Sequence, residues 1–149
     1  MIKRNIILLS LIFFLTNCGF APIYLKNMEA NFSIEKINFI GDRELNNFLK
    51  TNLNQYKNKD VNNKIYIEAK SEYNKIVLSK DGAGEITNYE LVAQVIFLIK
   101  SSNKEIKISE KKIMASMADK FEETEYEKSI KQSFANSITY KLISELIIN

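Results

Sequence analysis

Few side chains in this sequence could carry out acid–base, nucleophilic or metal chemistry. None of the 149 residues is a histidine, so the commonest general base and metal ligand is missing. The aspartates are scattered through predicted turns, at positions 42, 60, 81 and 119. The only acidic cluster lies at a predicted helix N-terminus, where the helix dipole favours carboxylates: Glu122, Glu123, Glu125 and Glu127. We therefore expect no enzyme, no metal site and no cofactor.

The only cysteine, Cys18, lies where a covalent modification is expected. Two basic residues at positions 3 and 4 precede an apolar stretch from Ile6 to Leu15. That stretch is too short to cross a bilayer as a helix, which takes about 20 apolar residues, but it suits a secretory signal. The run Leu15-Thr16-Asn17-Cys18 then resembles a bacterial lipobox, in which leucine lies three residues before the modified cysteine.

This resemblance implies that residues 1–17 are a lipoprotein signal peptide. A diacylglyceryl group would be transferred to the Cys18 sulfur, the chain cleaved before Cys18, and the new amine acylated. Several acyl chains would hold the protein firmly on a membrane. Gly19 stands where aspartate usually signals retention in the inner membrane, which favours the outer membrane. The alternative is a buried free cysteine that follows a signal anchor.

Composition is that of a single globular domain, with 46% hydrophobic and 26% charged residues. The net charge is +3, and without the leader's Lys3 and Arg4 it is +1, from 19 basic and 18 acidic residues. So weak a net charge gives no strong field for nucleic acid, and we expect no nucleic-acid partner. We place the lipidated N-terminus and a tether at residues 18–31 and the domain at residues 32–149.

Hydrophobic periodicity predicts an α+β domain in the order β-α-β-β-β-α. Strands are predicted at residues 32–40, 64–73, 89–100 and 105–114, and helices at 43–57 and from Thr124 to Leu146 or beyond. Residues 76–78 either continue the second strand or cross to the third. In the first predicted strand the apolar residues lie at even positions, 32 and 34, and then at odd positions, 37 and 39. This shift predicts a bulge near Glu35-Lys36. Asp42 suits an N-cap, and the segment Thr124 to Glu127 matches a capping box. We expect both helices to pack on one face of a roughly four-stranded mixed or antiparallel sheet.

The third predicted strand is apolar on both faces, and this suggests a partner-binding face. Its odd positions are expected to face the core, together with Phe134 and Ile138 of the last helix. Its even positions Val92, Ile96 and Leu98 are also apolar, although two helices can cover only one face of such a sheet. An exposed apolar patch marks an interaction site. The alternative is that the C-terminal helix or residues 19–31 cover these positions.

Two lysines flank a glycine-containing segment in the middle of the sequence, Asp81-Gly82-Ala83-Gly84. Lys75 and Lys80 are candidates for contact with phosphorylated sugar or lipid head groups, through charge pairing. The alternative is that both belong to an ordinary solvated surface. The glycine segment matches neither a phosphate-binding loop nor a dinucleotide fingerprint, and we expect it to connect two strands.

The run Cys18-Gly19-Phe20-Ala21-Pro22-Ile23-Tyr24 resembles the C-G-F-x-P-L-Y start of mature LPS-assembly lipoproteins, the LptE family, in its alphaproteobacterial branch. The element order and the long C-terminal helix are also similar to that family. The resemblance implies a lipoprotein at the periplasmic face of the outer membrane that plugs and helps assemble the LptD barrel and binds lipopolysaccharide. The alternative is an outer-membrane-tethered module for another envelope transport or peptidoglycan-associated complex.

Overall fold

The computed structural model describes residues 31–57 and 61–148. The predicted signal peptide, the predicted lipidation site Cys18 and the predicted tether up to residue 30 lie outside the described residues. Within them, four strands and two α-helices follow one another in the predicted order. They are β1 (Ser33–Gly41), α1 (Arg43–Leu53), a 3-10 turn (Asn54–Tyr56), β2 (Lys64–Lys80), β3 (Ile86–Ile99), β4 (Lys104–Ala115) and α2 (Lys120–Ile148). The predicted α+β class is confirmed.

The strands form one mixed sheet in the order β1-β2-β3-β4. β1 runs parallel to β2, because α1 returns the chain to the edge from which β1 started, and the other two pairs are antiparallel. The register between β1 and β2 shifts between Ile34 and Lys36, which confirms the predicted bulge. β3 lies between β2 and β4, so its two faces hold the central positions of the sheet.

Both helices pack on one face of the sheet, which we call the closed face. The odd positions of β3 lie there and are buried, at Leu91, Ala93, Val95, Phe97 and Ile99. Phe134 is 5% exposed and Ile138 is fully buried in the same cluster, which confirms both as core residues. Asn52 of α1 donates a hydrogen bond to Asn136 of α2 at 2.9 Å, so the helices lie side by side.

The hairpin between β2 and β3 is longer than its sequence pattern predicts. β2 continues past Tyr73 to Lys80, and the connecting turn covers only residues 81–85. Asp81 closes this turn, because its Oδ1 accepts the N–H groups of Ala83 and Glu85 at 2.9 Å each. The alternation of β2 weakens beyond Tyr73, so the pattern alone left two alternatives for residues 76–78, and the structure shows that they continue the strand.

Of the two predicted helix N-caps, the one at Asp42 is confirmed and the one at Thr124 is wrong. Asp42 caps α1, since its Oδ1 accepts the Leu45 N–H at 2.7 Å. α2 begins at Lys120, not after Thr124, because Asp119 Oδ1 accepts the N–H groups of Phe121 and Glu122 at 2.8 and 3.2 Å. The Thr124 hydroxyl instead donates to a backbone carbonyl inside the helix. An aspartate five residues earlier thus starts the helix one turn sooner than the capping box predicts.

Gly41 joins β1 to α1 in a conformation that requires glycine. Its φ is +107°, and an added Cβ would overlap the Ser71 carbonyl oxygen of β2. The Asp42 N–H donates to that same oxygen at 3.3 Å. This close approach of two backbones fixes where α1 starts relative to the sheet.

Candidate functional site

The sheet face opposite the helices, which we call the open face, carries the three predicted apolar positions of β3. Val92, Ile96 and Leu98 are all half-buried there, between the fully buried odd positions. α2 packs on the closed face, so the alternative that the C-terminal helix covers these residues is wrong. The other possible cover, residues 19–31, lies outside the described residues except for its last residue.

Charged side chains on neighbouring strands flank these apolar positions. Ile96 lies between Lys70 of β2 and Lys107 of β4, and Leu98 lies between Glu68 and Glu105. Long charged side chains lay their methylene stems along apolar surface and keep their charges in water. This explains why the β3 side chains are only half-exposed although no described helix covers them. The open face therefore presents apolar side chains that are flanked by charged ones.

Further apolar side chains on the open face were missed by sequence reasoning. They lie on the other three strands: Ile40 (65% exposed), Tyr66 (45%), Ile76 (49%) and Ile113 (60%). Ile76 and Ile113 lie on either side of Glu90, so they extend the apolar positions across the sheet beyond Val92. The alternation of side chains along a strand could have assigned these residues to the open face, because each lies next in sequence to a strand residue that faces the helices.

Lys75 lies on the closed face and its charge is already compensated. Its Nζ donates to Glu123 Oε1 at 3.0 Å and to Glu127 Oε2 at 2.8 Å, both on α2. The same amine lies 4.2 Å from the centre of the Tyr89 ring. A cation held in this way is poorly placed to meet a phosphate. The head-group contact of Lys75 stays a prediction, and this pairing weighs against it.

Lys80 is exposed at the end of β2, beside the turn that Asp81 closes. It shares none of the hydrogen bonds or ion pairs described for Lys75. The structure thus separates the two predicted lysines, placing Lys75 beside α2 and Lys80 at the tip of the hairpin. No common site forms from the pair within the described residues.

Among the acidic residues of this region, Glu123 has the pKa that departs most from its ordinary value. It is 5% exposed and accepts hydrogen bonds from the Met117 N–H at 2.9 Å and the Lys120 amine at 3.0 Å, besides Lys75. The backbone hydrogen bond from Met117, opposed by burial and aided by the two lysines, lowers the pKa of Glu123 to about 2. The Glu123 carboxylate therefore ties the start of α2 to β2 at neutral pH.

A buried cation, Lys131, continues this network towards α1. Lys131 is 7% exposed, donates to Glu44 at 2.8 Å and lies 4.0 Å from the centre of the Tyr73 ring. The Tyr73 hydroxyl donates to Glu127 at 2.9 Å, and burial, with that hydrogen bond, raises the pKa of Tyr73. We call Glu44, Tyr73, Lys75, Glu123, Glu127 and Lys131 the closed-face polar cluster. Its groups satisfy one another, so its evident role is structural.

The described part of the chain shows neither a cluster of metal-binding groups nor a membrane-spanning helix. Residues 31–57 and 61–148 contain no group of three or more carboxylates, thiols or imidazoles placed to hold a metal ion. Neither described helix combines the length and the apolar character that crossing a bilayer requires.

Among the solved structures that share this fold at low sequence identity are three lipoproteins. Rare lipoprotein B from Shewanella oneidensis has a TM-score of 0.51 at 16% identity, over 73% of this chain and 94% of that chain. Lipoprotein B from Nitrosomonas europaea has a TM-score of 0.56 at 14% identity, over 83% and 90%. A minor lipoprotein from Acinetobacter baumannii has a TM-score of 0.50 at 15% identity, over 74% and 94%. No protein-family model and no curated protein matches the chain. The fold is therefore one that bacterial lipoproteins adopt.

Proposed function

We propose that this protein is a lipid-anchored lipoprotein at the periplasmic face of the outer membrane, held there by acyl chains on Cys18. It plugs and helps assemble an LptD-type barrel and binds lipopolysaccharide during transport to the outer leaflet. It acts by binding and not by catalysis, and it uses no cofactor. The start of the mature sequence, Cys18-Gly19-Phe20, and the lipoprotein fold support this role.

The observation that carries the proposal is the one-sided packing of the sheet. Both helices cover the closed face, while the open face carries Val92, Ile96 and Leu98 and four more exposed apolar side chains on the other strands. Apolar side chains flanked by charged ones, with no described element over them, suit a surface that docks against a partner protein, here the proposed barrel.

The charged side chains that flank the apolar residues of the open face also suit the binding of a phosphorylated, acylated glycolipid. Lys107 is exposed beside Ile96 and makes no ion pair with any described residue, unlike Lys75. An unpaired amine beside an apolar side chain can meet a phosphate while the acyl chains contact the isoleucine. We therefore place lipopolysaccharide contact at Lys107 and Ile96 instead of at Lys75.

The test is Ile96→Lys in the full chain, with recovery of the barrel protein in a pull-down as the measurement. Because Ile96 is only half-buried, the isolated variant should stay folded and lose no more than about 1 kcal/mol of unfolding free energy. Barrel recovery should fall at least fivefold. The matched control is Gln132→Lys, which adds the same charge on an exposed position of α2 and should leave recovery unchanged.

Unchanged barrel recovery with Ile96→Lys would remove the open face as the contact surface. A loss of several kcal/mol in the isolated protein would instead mean that another segment of this chain covers the face. Binding of fluorescent lipopolysaccharide tests the second part of the proposal. Lys107→Glu should weaken that binding, whereas Lys128→Glu, an equal charge reversal on the exposed surface of α2, should not.

A further inference from the structure

The first ten residues of α2, at positions 120–129, are attached to the sheet differently from the rest of the helix. The buried apolar side chains of α2 begin only at Ile130, and within residues 120–129 Glu123 alone is buried. The aromatic side chains of this segment, Phe121 and Tyr126, are 74% and 41% exposed. We call residues 120–129 the strap. It lacks the apolar burial that holds the second half of α2 on the sheet.

Charged groups hold the strap on the closed face. On one side, Lys75 of β2 donates to Glu123 at 3.0 Å and to Glu127 at 2.8 Å. On the other side, the Lys112 amine of β4 lies 5.7 Å from the centre of the Tyr126 ring. The side chains of Lys75 and Glu127 are 27% and 20% exposed, so water reaches this ion pair. Such pairs stabilise a structure less than the burial of large apolar side chains does.

Leu91 of β3 lies beneath the strap. In the sheet it stands between Lys75 of β2 and Lys112 of β4, on the closed face. Because both lysines contact strap residues, the strap passes over Leu91, which is fully buried. A segment held by charge therefore covers an apolar side chain at this end of the closed face.

We propose that the strap opens as a unit while the rest of the fold stays closed, and that its opening uncovers Leu91. Segments with few buried apolar contacts open at a lower free energy than the core does. The second half of α2 stays in place, because Phe134 and Ile138 belong to the hydrophobic core. Opening leaves Lys75 and Lys112 without their strap contacts, on either side of Leu91. The inference does not depend on the barrel proposed above.

The test is native-state hydrogen exchange of the isotope-labelled full chain, followed by NMR at low urea concentrations. We expect the amides of residues 124–129 to exchange at least tenfold faster than those of residues 134–143. Their rates should also rise less steeply with urea, because opening the strap exposes less surface than global unfolding does.

Variants separate opening of the strap from global unfolding. Glu127→Gln and Leu91→Val weaken contacts that exist only while the strap is closed, so each should raise exchange at least threefold in both groups of amides. Ile138→Val weakens a core contact that persists when the strap opens. It should raise exchange at least threefold at residues 134–143 and leave residues 124–129 unchanged. The control Glu125→Gln, at an exposed position of the strap, should change neither group.

Three results would overturn the proposal. If both groups of amides exchange at the same rate with the same urea dependence, the strap does not open independently. The same holds if Ile138→Val accelerates residues 124–129 as much as residues 134–143. If Glu127→Gln or Leu91→Val leaves residues 124–129 unchanged, the strap is not held by this charge or does not cover this leucine.

Discussion

Replacing Glu123 with glutamine should make the protein less stable at neutral pH and remove part of its sensitivity to acid. Glu123 accepts hydrogen bonds from Met117, Lys120 and Lys75, and glutamine would keep the shape but lose the charge. The folded-state pKa lies below the ordinary value, so the carboxylate stabilises the fold above pH 4.5. This contribution fades as the pH falls through the folded pKa of about 2.

The magnitude follows from the pKa of Glu123. Moving a pKa from 4.5 to about 2 corresponds to at most about 3 kcal/mol of unfolding free energy. The Lys120 side chain is 66% exposed, so solvent screens part of its interaction with Glu123. We therefore expect Glu123→Gln to cost about 2 kcal/mol at pH 7.

Urea denaturation followed by circular dichroism, repeated between pH 7 and pH 3, measures this effect. The difference between parent and Glu123→Gln should be constant down to about pH 5 and shrink below it. The control is Glu122→Gln, the same change at the exposed neighbouring position, which should cost less than about 0.5 kcal/mol. Equal losses in the two variants, or a difference that grows in acid, would refute the structural role of Glu123.

Three further predictions concern the core, the β1–α1 junction and the N-terminus. Phe134→Ala should cost roughly 3–5 kcal/mol, because the ring is 5% exposed, and an unchanged urea midpoint would contradict its core position. Gly41→Ala should cost at least about 2 kcal/mol through its positive φ and the clash with Ser71, whereas Gly82→Ala, with nothing within 4 Å, should have little effect. Cys18→Ala should abolish incorporation of radiolabelled palmitate and leave an unprocessed precursor, and equal labelling of both proteins would disprove lipidation at this cysteine.

The sequence by itself determined the element order, the bulge in β1, the Asp42 cap and the inward face of α2 around Phe134. Each of these features depends on residues a few positions apart. The alternation of strands, the spacing of helical residues and the reach of a capping side chain are local, so they can be seen without knowing what packs against them. The same local evidence identified the two apolar faces of β3.

Only the tertiary structure decided which charged groups meet and which apolar groups the described elements leave uncovered. Lys75 and Glu123 are 48 residues apart and pair because α2 crosses β2, which no local pattern encodes. Both helices had to lie on one face for Ile96 to remain half-exposed on the other. Long-range strand pairing and helix placement fix these outcomes, because they set the partners that burial, charge and hydrogen bonding then join.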